Sequence, residues 1–111
     1  MAELAKARLE EMSPGSQTEE LSPRFSIYPN PFNAETQIRY HLPEDSEVVI
    51  KIYNALGQLT RTLINEKQFS GEHVLHWNGR GNDGYEVASG LYFCRLVMRG
   101  NAYTQKLVML K

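Results

Sequence analysis

The chain reads as an all-β domain, a seven-stranded antiparallel sandwich of immunoglobulin-like type, preceded by a short helical or disordered leader. Three observations predict it. Apolar and polar residues alternate with period two in short runs from Phe25 almost to the end of the chain. Clusters rich in Gly, Pro, Asn, Asp and Ser separate these runs at spacings of roughly ten residues. No helical period appears after residue 23. A small closed barrel is the alternative architecture for the same pattern.

Residues 1–23 form the leader. Ala5, Leu9 and Met12 fall on one helical face within a stretch rich in Ala, Leu, Glu, Lys and Arg, which predicts a short helix over 2–12. A helix that short is marginal without a surface to dock on, and Ser13-Pro14-Gly15-Ser16 ends it. The leader therefore reads as a tether, and the folded domain as residues 24–111.

The first strand, Phe25 to Tyr28, stops at Tyr28-Pro29-Asn30-Pro31-Phe32-Asn33. Two prolines one residue apart exclude helix, push the residue before each into extended backbone, and suit a rigid kink beside an edge strand. Glu35 to Leu42 is a half-buried strand, with Thr36, Ile38, Tyr40 and Leu42 on one face and Gln37, Arg39 and His41 on the other. After the turn Pro43-Glu44-Asp45-Ser46, Glu47 to Asn54 turns Val48, Ile50 and Ile52 inward. Asn54-Ala55-Leu56-Gly57 is the next turn. Leu59 to Asn65 alternates poorly, because Leu63 and Ile64 are adjacent, and this predicts a bulge or an edge position.

Glu72 to Asn78 places His73, Leu75 and Trp77 on one face, and Trp77, the largest apolar group in the chain, is expected at the centre of the core. The loop 79–89 carries the turn signal Asn82-Asp83-Gly84. Gly90 to Met98 directs Tyr92, Cys94, Leu96 and Met98 inward. Arg99-Gly100-Asn101-Ala102 reads as a tight hairpin in which Gly and Asn take the positive φ, and Tyr103 to Leu110 closes the domain.

Bulk properties narrow the function classes. The formal charge is -1, so no excess of positive charge argues for nucleic acid or an anionic membrane. One cysteine, Cys94, allows neither an intrachain disulfide nor a thiolate metal cluster. The first residues carry acidic side chains and lack an apolar core, so they are not a secretory signal peptide, and no run reaches the ~18 apolar residues needed to span a bilayer.

The residues offer little chemistry. His73 and His76, three apart on a strand, point to opposite faces and cannot share a metal ion, and His41 lies on the polar face of its own strand. Cys94 has the inward parity of a packing residue. Glu44 and Asp45 are adjacent in a turn, aimed apart, and are no catalytic dyad. Asn82, Asp83 and Glu86 are better read as turn residues than as a calcium shell. We expect no enzyme activity: no catalytic, cofactor-binding or metal-binding residue is assigned.

Taken in order, Tyr28-Pro29-Asn30-Pro31, Asn54-Ala55-Leu56-Gly57-Gln58, Trp77-Asn78-Gly79-Arg80, Asn82-Asp83-Gly84 with Val87-Ala88-Ser89-Gly90-Leu91-Tyr92, and Lys106-Leu107-Val108-Met109-Leu110-Lys111 resemble the type A C-terminal sorting domain of the type IX (Por) secretion system. They also resemble the related immunoglobulin-like domain of flagellar hook-capping proteins. The resemblance covers roughly residues 25 to 111. It implies a non-catalytic module that directs a secreted bacterial protein through the periplasm, across the outer membrane and onto the cell surface. The implied partners are a receptor in the secretion machinery and a covalently linked upstream cargo, without nucleic acid and without membrane insertion.

Under the resemblance Tyr28, Pro29, Asn30 and Pro31 open the domain. Gly57 makes a tight turn, and Gly90 and Tyr92 begin the sixth strand, where Gly90 permits close backbone approach and Tyr92 is similar to a tyrosine corner. Lys106 and Lys111 frame the apolar strand Leu107, Val108, Met109 and Leu110, which is read as the sorting signal and could be recognised by strand addition at a sheet edge. Leu59-Thr60-Arg61 is less apolar than the family's fourth strand. The alternative function is an accessory immunoglobulin-like module for glycan or protein binding, or a hook-cap-like assembly subunit.

Overall fold

A computed structural model describes residues 24–111, so the leader helix expected over 2–12 lies outside the described residues. Seven strands follow one another: β1 (Phe25–Tyr28), β2 (Thr36–Leu42), β3 (Ser46–Asn54), β4 (Leu59–Gln68), β5 (Gly71–Trp77), β6 (Gly90–Met98) and β7 (Asn101–Met109). They form two antiparallel sheets, one of three strands in the order β1-β2-β5 and one of four in the order β4-β3-β6-β7. The expected all-β, seven-stranded antiparallel sandwich is the observed fold.

Period-two patterning decides which side chains fill the space between the sheets. Thr36, Ile38, Tyr40 and Leu42 of β2 are buried, facing Val48, Ile50 and Ile52 of β3 and Tyr92, Cys94, Leu96 and Met98 of β6. Trp77 is fully buried at the end of β5, with Phe32 and Tyr92 against it at ring-centroid distances of 5.5 and 5.8 Å. Tilted and edge-on aromatic contacts of this kind are favoured by the ring quadrupoles. Its indole N–H donates to the carbonyl of Arg80 at 2.9 Å, so the buried polar atom of the ring is satisfied.

Two sequence readings need correction. Gly90 was expected to permit close backbone approach, but a Cβ there would meet nothing within 4 Å, and the residue's φ of +150° is what calls for glycine. Close approach occurs instead at Gly79, where a Cβ would lie 2.8 Å from the terminal methyl of Met109. In the β6–β7 hairpin the residues at positive φ are Arg99 (53°) and Gly100 (78°), because Asn101 already belongs to β7. The pairing of Met98 with Asn101 leaves a two-residue loop, and with both central residues at positive φ it is of type I′, which imposes that conformation whatever their identity.

The poor alternation of the fourth strand has both anticipated causes. β4 is an edge strand, and its register against β3 slips twice, between Ile50 and Lys51 and between Ile52 and Tyr53. The β3–β4 turn is held by Asn54, whose side-chain oxygen accepts the N–H groups of Leu56 and Gln58 at 2.9 and 3.0 Å, while Gly57 takes φ +83°. No helix among the described residues is long and apolar enough to cross a membrane.

Candidate functional site: the terminal edge and the segment across it

Two motifs at opposite ends of the domain sequence lie side by side. β7 is the outer strand of the four-stranded sheet, and in an antiparallel ladder its residues bond alternately toward its neighbour and toward the edge. Met98 and Asn101 close the hairpin, so the odd-numbered residues of β7 bond to β6 and the even-numbered ones point their backbone groups outward. These outward groups are what a receptor strand would pair with. From the carbonyl of Lys106 to the N–H of Leu110 they are already taken.

Asn30 takes the first two. Its side-chain amide donates to the carbonyl of Lys106 at 2.8 Å, and its side-chain oxygen accepts the N–H of Val108 at 3.0 Å. One primary amide thereby imitates the donor and acceptor of a strand residue. The neighbouring prolines have no N–H to offer, so the side chain does what the local backbone cannot. Phe32 continues with its own backbone: its N–H donates to the carbonyl of Val108 at 3.0 Å, and its carbonyl accepts the N–H of Leu110 at 2.9 Å. These two bonds form a parallel bridge between Phe32 and Met109.

The segment is anchored from below. Phe32 is 3% exposed and packs on Trp77. The Thr36 hydroxyl, itself buried, donates to the carbonyl of Pro29 at 2.6 Å. Farther along β7 the Gln105 side chain donates to the carbonyl of Phe25, tying β1 to the same edge. The stretch expected as a kink and domain entry is thus also a strap across half of the terminal strand.

The predicted signal residues divide by burial. Leu107 and Met109 are core residues and Val108 is half-buried, whereas Lys106, Leu110 and Lys111 are exposed, Leu110 by 53%. Pro29, Pro31, Phe32, Asn33, Leu110 and Lys111 line an open groove of about 520 Å³ where the strap meets the end of the chain. Tyr28, the first residue of the opening motif, is 79% exposed beside it. Strand addition over residues 106–110 would require the strap to leave. Among the described residues, the outward groups of Ala102 and Thr104 and the N–H of Lys106 are left for pairing on the hairpin side.

The terminus is also held from the loop 79–89. The Lys111 N–H donates to Ser89 Oγ at 2.9 Å, and its ammonium lies 3.4 Å from Glu86, which also faces Arg80 at 3.7 Å. These ion pairs are exposed and contribute little to stability. Tyr92, on the inward side of β6, donates its hydroxyl to the carbonyl of Ala88 at 2.7 Å, a corner-like contact across the same loop, and burial raises its pKa. Gly57 lies at the β3–β4 turn outside the groove, whereas Gly90 and Tyr92 of β6 pair with Met109 and Leu107, so of the predicted residues the structure brings together Pro29, Asn30, Pro31, Gly90, Tyr92 and the strand 106–111, with Trp77 beneath them.

The residues weighed for chemistry are occupied otherwise. Burial pushes the Cys94 thiol up to about 12, far from a thiolate at neutral pH. Among the loop carboxylates and amides, Asn82 Oδ1 accepts from the Thr62 N–H, Asp83 Oδ1 from the Tyr85 N–H, and Glu86 faces its two cations. His73 stacks on Tyr40 at 5.2 Å and bonds the Phe69 carbonyl, His41 lies 3.8 Å from Glu72, and His76 is exposed.

Sequence reasoning missed the roles of Phe32, Gln105 and Ser89. For Asn30 a signal existed: an amide side chain between two residues that cannot donate is the one local source of a donor. Nothing in the sequence says which strand it reaches.

The profile of the FlgD Ig-like domain family matches residues 30–100, from Asn30 of the strap to the β6–β7 turn. No curated protein sequence is significantly similar to the chain. Among solved structures, dimeric latent PorU from Porphyromonas gingivalis superposes with a TM-score of 0.65 at 20% identity, over 78% of this chain and 9% of that one. PorZ, described as an essential bacterial surface component of the type IX secretion system of the same organism, gives 0.57 at 24% identity over 89% of this chain and 13% of that one. FlgD from P. aeruginosa gives 0.50 at 23% identity, over 67% and 60%. At these identities the likeness is one of fold, and the chain spans only a small part of PorU and PorZ.

Proposed function

We propose that this chain, which belongs to the FlgD Ig-like domain family, is a non-catalytic sorting and anchoring module of type A that carries an upstream cargo across a bacterial outer membrane through the type IX secretion system. The observation that carries the reading is the groove in which the opening motif and the end of the chain meet. Asn30 and Phe32 hold the strand 106–110 in one conformation, and Lys106, Leu110 and Lys111 face solvent on that pinned frame. A receptor reading these side chains meets a preorganised surface and loses little freedom on binding. The domain folds of PorU and PorZ support the setting. The partners under this reading are a receptor of the secretion machinery and the covalently attached cargo, and the location is the cell surface or the medium.

The test is export. Residues 24–111 are fused behind a periplasm-targeted reporter in a bacterium with this secretion system, and the triple variant Lys106→Ala, Leu110→Ala, Lys111→Ala is compared with the parent. These three positions are exposed, so the fold should persist while surface display falls. Deletion of 106–111 also removes buried Leu107 and Met109 and serves as the fully defective reference. Equal display of parent, triple variant and deletion would sink the reading.

The family match favours a second reading, an assembly or binding module like the Ig-like domain of FlgD, since the matched residues end before β7. Under it the triple variant is displayed or assembled normally, and saturable binding to a protein or glycan maps elsewhere on the domain.

A further inference from the structure

We infer that the outer face of the four-stranded sheet is a docking surface for an extended acidic peptide, one with a carboxylate flanked two residues away on each side by apolar side chains. This rests on residues outside the groove at the terminus and is independent of the sorting reading.

Core-facing residues of β3 and β6 have even numbers, so the odd-numbered residues form the outer face. The pairing register sets them in rows. Val49 lies opposite Val97, Lys51 opposite Arg95, and Tyr53 opposite Phe93. Two adjoining shallow depressions, about 320 and 260 Å³, cover these rows and share Tyr53 and Arg95. The centre of the face is therefore a pair of cations between an aliphatic row and an aromatic row.

Like charges directly opposite on neighbouring strands are destabilising. Neither Lys51 nor Arg95 has a carboxylate within 4.0 Å among the described residues, although the other ion pairs of the domain are made at its loops and on the second sheet. Glu47, the acidic residue of β3 on the same face, stands two rows away opposite Lys67. The two central strands thus carry a repulsion that a ligand carboxylate would relieve, and this charge complementarity selects the occupant.

The geometry selects its form. Rows along a strand repeat about every 6.8 Å, which is also the repeat of same-side residues in an extended peptide. A segment lying along β3 and β6 places its residues i, i+2 and i+4 over the valine, cation and aromatic rows in turn. The depressions are open and shallow rather than enclosed, which suits a polypeptide more than a small molecule.

The experiment titrates the full, isotopically labelled chain with acetyl-Thr-Val-Thr-Glu-Thr-Phe-Thr-amide and follows its amide resonances. The expected result is saturable change confined to residues 49–53 and 93–97, weakened by added salt. Replacing the peptide's Glu by Gln should weaken binding about tenfold, as should Arg95→Gln, the size of one lost charge-assisted hydrogen bond. Lys51→Glu separates binding from structure: it should raise the melting temperature, because the like-charge pair becomes an ion pair, and abolish binding. The inference is overturned by no saturable change at millimolar peptide, by equal affinity for the Gln peptide, by changes at the free edge of Ala102 and Thr104, or by an oligogalacturonate binding where the peptide does not.

Discussion

The two edges of the four-stranded sheet meet the same problem with different materials. Exposed edges invite pairing with other chains, and here each is partly closed by a loop asparagine. At β7 the Asn30 side chain spans Lys106 and Val108, and Phe32 drives a buried ring into the core beneath. At β4 the Asn82 backbone N–H donates to the Thr60 carbonyl and its side-chain oxygen accepts the Thr62 N–H, with Arg61 reaching the Arg80 carbonyl at 3.0 Å. The second closure is a polar loop lying on the surface. The first is a core element that also covers an edge, so losing it should affect folding and terminal recognition together.

Attacking the core behind both closures should have the largest effect, and alkaline pH does so. Burial raises the pKa of Cys94 from 9.0 to about 12 and that of Tyr40 from 10.0 to about 12. Tyr40 is also raised by Glu66 and lowered by its hydrogen bond to Gln68. The folded chain holds both protons at a pH where the unfolded chain releases them. The stability contributed by these two protons is therefore fully present below pH 9 and falls as pH rises toward 12. Denaturant titrations between these limits check it, and Cys94→Ala should move the onset up to the Tyr40 step at pH 10.

Phe32→Ala comes next, at about 3–5 kcal/mol by urea unfolding, because it empties the space beside Trp77 and frees the strap. An equally stable variant would mean that the ring is not the anchor. Asn30→Ala removes two hydrogen bonds and should cost about 1–2 kcal/mol, with faster amide exchange at Val108. Asn82→Ala should cost about 1 kcal/mol and speed exchange at Thr62 while leaving Val108 protected. If both variants expose both edges alike, the closures are not independent. The smallest effect is expected at the hairpin that joins β6 to β7: Arg99→Asn should change stability by less than about 1 kcal/mol, since easier positive φ offsets the lost ion pair with Glu44.

The core was legible because it depends on parity along single strands. Thr36, Ile38, Tyr40 and Leu42 needed only a period of two to be assigned inward, and Trp77 only its size. The irregular fourth strand was legible as irregular, and its edge position and slipped register were within the expectation. The terminal strand was legible as apolar and final, but the sequence could not show that Leu107 and Met109 are core while Lys106, Leu110 and Lys111 are presented. That division depends on which face the sheet partner covers.

By itself the sequence determined the all-β class, the seven strands, the inward residues and the two motifs at either end of the domain, since each is encoded within a few neighbouring positions. Only the tertiary structure decided that the motifs touch, that Asn30 reaches Lys106 and Val108 across 76 and 78 positions, and that an expected kink is a closure. A hydrogen bond between distant residues has no local pattern. It exists only once the sheets have packed and brought its two ends within about 3 Å.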